Sequence, residues 1–93
     1  MQTINKIPFS LGRVVITENA SALLNDKDVT TALRRHKNCD WGEVCSEDWA
    51  NNNCAVKNGD RILSVYRASD DKKFWVITEH DRSYTTVLMP SDY

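Results

Sequence analysis

Three stretches decide the fold: Arg61-Ile62-Leu63-Ser64-Val65-Tyr66-Arg67, Phe74-Trp75-Val76-Ile77-Thr78-Glu79 and Tyr84-Thr85-Thr86-Val87-Leu88-Met89. Each is short and rich in β-branched or aromatic residues. The connections, Ala68 to Lys73 and His80 to Arg82, have hairpin length, which predicts a three-stranded antiparallel meander. Along the first, Ile62, Ser64 and Tyr66 alternate with Leu63 and Val65; along the second, Phe74, Val76 and Thr78 alternate with Trp75, Ile77 and Glu79. Both faces carry bulk. Such a sheet is either covered on both sides or offers one face to a partner.

Upstream, the pattern changes to helical. Ser46 followed by Glu47 and Asp48 predicts a helix start, with a capping hydroxyl and acids in the first turn. The helix runs to about Asn58 and stops at Gly59. Asn51-Asn52-Asn53 is a poor helix interior, so contacts from Trp49, Cys54 and Val56 must hold it. Asp28 predicts the cap of a second helix, Val29 to about Lys37, with Val29, Ala32, Leu33 and His36 on one face and Arg34, Arg35 and Lys37 on the other. Between these helices, Asn38 to Glu43 reads as a loop with Trp41 tucked against the core. Asn19 caps a brief helix through Leu24, and Arg13 to Thr17 reads as a strand that can pair with the meander to make four. Residues 1–10 read as an extended N-terminal segment. The expected fold is a single α+β domain over residues 1–93: an N-terminal strand and helices, then a three-stranded antiparallel β-meander, the helices packed on one face of the sheet.

Composition narrows the function. Twelve basic against thirteen acidic residues give a net charge of −1, so no long-range field favours nucleic acid or membrane. No run has the length of a signal peptide or a membrane span, and the three cysteines, Cys39, Cys45 and Cys54, suit reduced thiols better than a disulfide framework. A cytoplasmic protein is expected. A chain of 93 residues supports one small core, whose stability gains from a protein partner or self-association.

The frame Phe9-x-Leu11-Gly12, Arg35-His36, Asp40-Trp41-Gly42 and Arg61-Ile62-Leu63-Ser64-x-Tyr66-Arg67 continues in Trp75-Val76-Ile77-Thr78-Glu79-x-Asp81-Arg82-Ser83-x-Thr85 and ends in Thr86-Val87-Leu88-Met89-Pro90-x-Asp92-Tyr93. It resembles the small plasmid-related hypothetical proteins of bacterial plasmids, integrative elements and phages, along nearly the whole chain. That resemblance implies a mobile-element setting and brings no activity with it. In element order alone, the chain is also similar to the barnase, EndoU, colicin and RelE class of small ribonucleases.

Two functions of different class follow. A metal-independent ribonuclease needs a base, an acid and a cation at the phosphorane; His36, Glu79, His80, Arg82, Tyr84 and Thr86 are the candidates, with RNA as substrate. The plainer account of the same residues makes His36 a core side chain, Glu79 and Arg82 a cross-turn ion pair, and His80 a solvated hairpin tip. A non-enzymatic interaction module is the leading expectation, binding a protein through the exposed sheet face and the tip, with Trp75 as anchor beside Glu79, Asp81, Arg82 and Tyr84. Cysteine spacing lacks a C-x2-C knuckle, and the three glycines stand apart, so neither a metal nor a phosphate-bearing cofactor is expected. Cys54 reads as a core residue and Cys39 and Cys45 as loop thiols.

Overall fold

The computed structural model describes residues 8–93. Within them, the chain runs β1 (Arg13–Ile16), α1 (Glu18–Leu23), α2 (Asp26–Lys37), α3 (Ser46–Asn58), β2 (Ile62–Arg67), β3 (Lys73–Thr78), β4 (Tyr84–Leu88) and a closing 3-10 turn, Pro90–Asp92. The architecture is α+β. Of the segment expected to run extended, residues 1–7 lie outside those described.

β2, β3 and β4 form the antiparallel meander, in register Ile62↔Thr78, Ser64↔Val76 and Tyr66↔Phe74, then Val76↔Val87 and Thr78↔Thr85. The sheet is larger than that meander. β1 adds to β4 in parallel, in register Val14↔Thr85 and Ile16↔Val87, giving a four-stranded mixed sheet of order β1-β4-β3-β2. The crossover from β1 to its neighbour passes through all three helices and two strands, and no local signal specifies so distant a parallel pairing.

Helix boundaries follow the capping groups. α1 is capped by Thr17 and not by Asn19, and α2 by Asn25, whose side chain accepts from the Asp28 N–H. Asp28 is thereby left in the first turn, where its carboxylate accepts from the Ser69 backbone and hydroxyl and fastens the β2–β3 connection to α2. α3 is capped by the Cys45 sulfur, one residue before the expected Ser46, and ends on Gly59 in the left-handed conformation.

One sheet face carries Ile62, Ser64, Tyr66, Phe74, Val76, Thr78, Thr85 and Val87. Ala20 of α1, Leu24 just after it and Ala32 of α2 close on its centre, with Tyr66, Phe74, Val76 and Val87. Ala55 of α3 joins Ile62, Trp41 and Phe9 at its β2 end. On the opposite face the closing segment folds back, and Tyr93 stands edge-on to Trp75 with ring centroids 5.3 Å apart.

The two sheet edges are treated differently. On β2, alternation points the N–H and C=O of Leu63, Val65 and Arg67 away from β3, and the first two are covered. The Asn52 side chain of α3 donates to the Leu63 carbonyl at 2.8 Å and accepts from its N–H at 3.3 Å. The Val65 N–H donates to the Trp41 carbonyl, and the Val65 carbonyl accepts from the Glu43 N–H at 2.7 Å. Gly42 makes that approach feasible: its φ is +76°, and any Cβ there would run into the Val65 carbonyl. The buried member of the asparagine run is thus a backbone surrogate sealing a strand edge, which is why a weak helix former sits mid-helix.

Candidate functional site

His36 reaches the sheet because it shares a helix face with Val29, Ala32 and Leu33. Its ring is wholly buried. Nδ1 lies 2.6 Å from Ser64 Oγ on β2, and Nε2 lies 2.8 Å from Thr78 Oγ1 on β3. Thr78 Oγ1 is in turn 2.7 Å from Thr85 Oγ1 on β4, which donates to the Leu11 carbonyl at 2.7 Å. Proton counting along this chain fixes its direction. Thr85 spends its one hydroxyl proton on Leu11, so Thr78 donates to Thr85, the imidazole donates from Nε2 to Thr78, and bare Nδ1 accepts from Ser64. Phe9 and Trp41 close over the ring, both edge-on, with centroids 5.5 and 5.6 Å away. Burial, helped by the nearby positive charge of Arg82, pushes the histidine down to about 3. His36 is therefore a neutral interior fastener of three strands. It lacks the solvent and substrate access that a general base requires.

Arg82 also faces inward. Its guanidinium donates to the carbonyls of Asp60 (2.6 Å), Ala55 (2.8 Å) and Glu79 (3.0 Å), and sits 5.6 Å from the Phe9 ring centroid. Two of those carbonyls belong to the C-terminal end of α3 and the residue beyond Gly59, so the side chain acts as a remote cap. The backbone at Arg82 is left-handed, φ +60°, a conformation costing a non-glycine residue about 1 kcal/mol. Arg82→Ala keeps that strain and loses three charge-assisted bonds; a loss of about 2 kcal/mol in urea unfolding is expected. Arg82→Lys recovers less than half of it, because one ammonium cannot serve the same fork. Wild-type stability in either variant would contradict this role.

The remaining tip residues do not converge on His36. Glu79 pairs with Arg61 at 3.8 Å in place of the expected partner Arg82. Asp81 accepts from the Ser83 hydroxyl and N–H, which holds its carboxyl below the usual range and closes the turn on itself. His80 is exposed. Thr86 and Tyr84 lie on the sheet face opposite Thr85, and thus opposite His36. The expected catalytic set is split between the interior, the tip and the far face. The reason is the strand period of two, which sends Thr85 and Thr86 to opposite sides.

Two of the basic side chains are likewise committed to structure. Arg35 forms a two-pronged pair with Asp40, and Arg67 bonds Glu43 and Asp71. The thiols are free: Cys39 is half-buried, while Cys45 and Cys54 are exposed, so Cys54 is not the core residue expected. Trp75 is half-buried under Tyr93 and is less open than an anchor requires, whereas Tyr84 stands 42% exposed beside Arg13 on β1.

That neighbour is the surface the sequence reading passed over. The N–H groups of Arg13 in β1 and of Thr17 just after it donate to the carbonyls of Ser83, just before β4, and Val87, within it, so strand alternation points the N–H and C=O of Val14 and Ile16 outward. No described residue meets them. Val14, Val15 and Ile16 are 45, 36 and 41% exposed. Val14 and Ile16 share the helix-covered face with Thr85 and Val87, and line a groove of about 370 Å³ with Leu24, Val29 and Asp26. Val15 lies on the far face with Tyr84 and Thr86. Three consecutive β-branched residues usually mark a strand buried on both sides, so sequence pattern carried no sign of an open edge.

No protein-family model, characterised protein or solved structure matches this chain.

Proposed function

We propose that the chain is a non-enzymatic protein-interaction module of a bacterial mobile element, and that it takes an extended strand of a protein partner along β1. The observation that carries this reading is the contrast between the edges: Asn52, Trp41 and Glu43 cover Leu63 and Val65 of β2, while no described residue covers the two outward backbone pairs of β1, which also presents three exposed aliphatic side chains. An unpaired, apolar strand edge is a template for strand addition, and natural proteins blunt such edges when they have no use for them. The added strand gains main-chain hydrogen bonds from Val14 and Ile16, while its alternate side chains enter the groove beside Leu24 and Val29. Tyr84, among the binding residues expected from sequence, extends the surface on the far face; Trp75, Glu79, Asp81 and Arg82 are engaged elsewhere, by Tyr93, Arg61, Ser83 and the end of α3.

The test is affinity capture from a bacterial lysate that also contains an untagged copy of the chain, with wild type and Ile16→Pro as baits. Proline removes an outward N–H without touching the β1–β4 ladder. Wild type is expected to retain a protein that Ile16→Pro loses, and labelled RNA incubated with it in EDTA stays intact. Equal retention by both baits, or RNA cleavage abolished by His36→Ala or His80→Ala, would overturn the reading.

A further inference from the structure

We infer that the strand added to β1 is β1 of a second copy of this chain, making a two-fold dimer with one continuous eight-stranded sheet. The inference rests on the edge-binding reading above and names the occupant.

Hydrogen-bond parity restricts how two such edges can meet. Among the described residues of β1, Val14 and Ile16 are the ones that present outward donors and acceptors. In an antiparallel pair, residues that exchange both bonds must each point at the other, so even-numbered residues meet even-numbered ones. The register that uses the whole strand sets Val14 of one copy against Ile16 of the other, twice, with Val15 facing Val15 at the two-fold axis. Val14 and Ile16 lie on the helix-covered face in both copies, so the axis stands perpendicular to the sheet and both sets of helices fall on the same side. The two grooves then adjoin, and Val14 and Ile16 of each copy pack together over them.

Charge favours the same partner. Arg13 precedes the aliphatic run and Glu18 follows it, so the antiparallel register brings Arg13 of one copy opposite Thr17 and beside Glu18 of the other, at both ends. A chain of net charge −1 sets little repulsion against its own copy. Four ladder bonds and a short aliphatic contact make a small interface, so the dimer is expected to form weakly and reversibly.

The two-fold position of Val15 supplies the test. Sedimentation equilibrium of the wild type should show monomers giving way to dimers between roughly 1 and 500 µM. Val15→Lys and Val15→Glu each put like charges face to face and should remain monomeric over that range, with unchanged circular dichroism because position 15 is exposed in the monomer. An equimolar mixture of the two variants should dimerise again. A monomeric wild type, single variants that dimerise as the wild type does, or a mixture that stays monomeric would each overturn the inference. A monomeric wild type that still captures another lysate protein through Ile16 overturns self-pairing alone; one that captures nothing overturns the edge-binding reading with it.

Discussion

His36→Ala is expected to destabilise the folded chain by about 4 kcal/mol, the largest effect of any single side-chain truncation considered. Three costs add. Removing the ring opens a cavity between Phe9, Trp41 and the sheet, in a place where rigid aromatic walls collapse poorly. Ser64 Oγ loses its acceptor in a wholly buried position, and Thr78 loses its donor while still bonded to Thr85. A domain of this size holds roughly 5–15 kcal/mol in all, so the variant should be largely unfolded by mild urea. His36→Gln, which can both donate and accept, should lose clearly less. An alanine variant within about 1 kcal/mol of wild type would show that the chain from Ser64 to Leu11 does not hold the sheet.

The same imidazole makes the fold acid-labile. In the unfolded chain a histidine titrates near its ordinary value of 6.5, whereas in the fold burial and Arg82 hold His36 at about 3. Between those values the unfolded state binds a proton that the folded state refuses. The contribution is therefore fully present above 6.5 and is lost as pH falls toward 3. The loss approaches tenfold in the folding equilibrium per pH unit, roughly 3 kcal/mol by pH 4.5. Asp28, Asp40 and Asp92, whose carboxyls are held below 3.8 by hydrogen bonds, add their own loss only as pH falls through and below that value. Urea midpoints measured from pH 7 to 4.5 should fall steeply for wild type and stay nearly level for His36→Gln. A wild-type profile as flat as the variant's would contradict neutral burial of the ring.

Sequence pattern placed the strands and helices to within a few residues because each obeys a local rule: alternation in β2 and β3, apolar spacing in α2, a glycine stop after α3. It misplaced the caps by one to three residues where two cap-forming residues stand close together, as with Asn25 and Asp28, since only the Ser69 contact decides between them. The parallel docking of β1 on β4 was legible only as a capacity to pair, because the partners are about 70 residues apart and no turn joins them.

The candidate site was harder to read for a physical reason. Histidine, arginine and threonine serve equally well as catalysts and as interior hydrogen-bond hardware, and composition cannot separate the two uses. His36, Arg82 and Thr85 turn out to be hardware, tying α2 and α3 to the sheet. What distinguishes the proposed binding edge is that no described residue fastens the outward groups of Val14 and Ile16, and aliphatic residues carry no mark of that in a sequence.

The central claim, that β1 is an open edge used for strand addition, is tested most directly by residue-resolved amide hydrogen exchange at low micromolar and at several hundred micromolar protein. At low concentration the outward amides of Val14 and Ile16 should exchange far faster than the inward amide of Val15, and at high concentration they should become protected while Val15 changes little. Protection of Val14 and Ile16 equal to that of Val15 at the lowest concentration would mean that the chain covers its own edge, and would contradict the account.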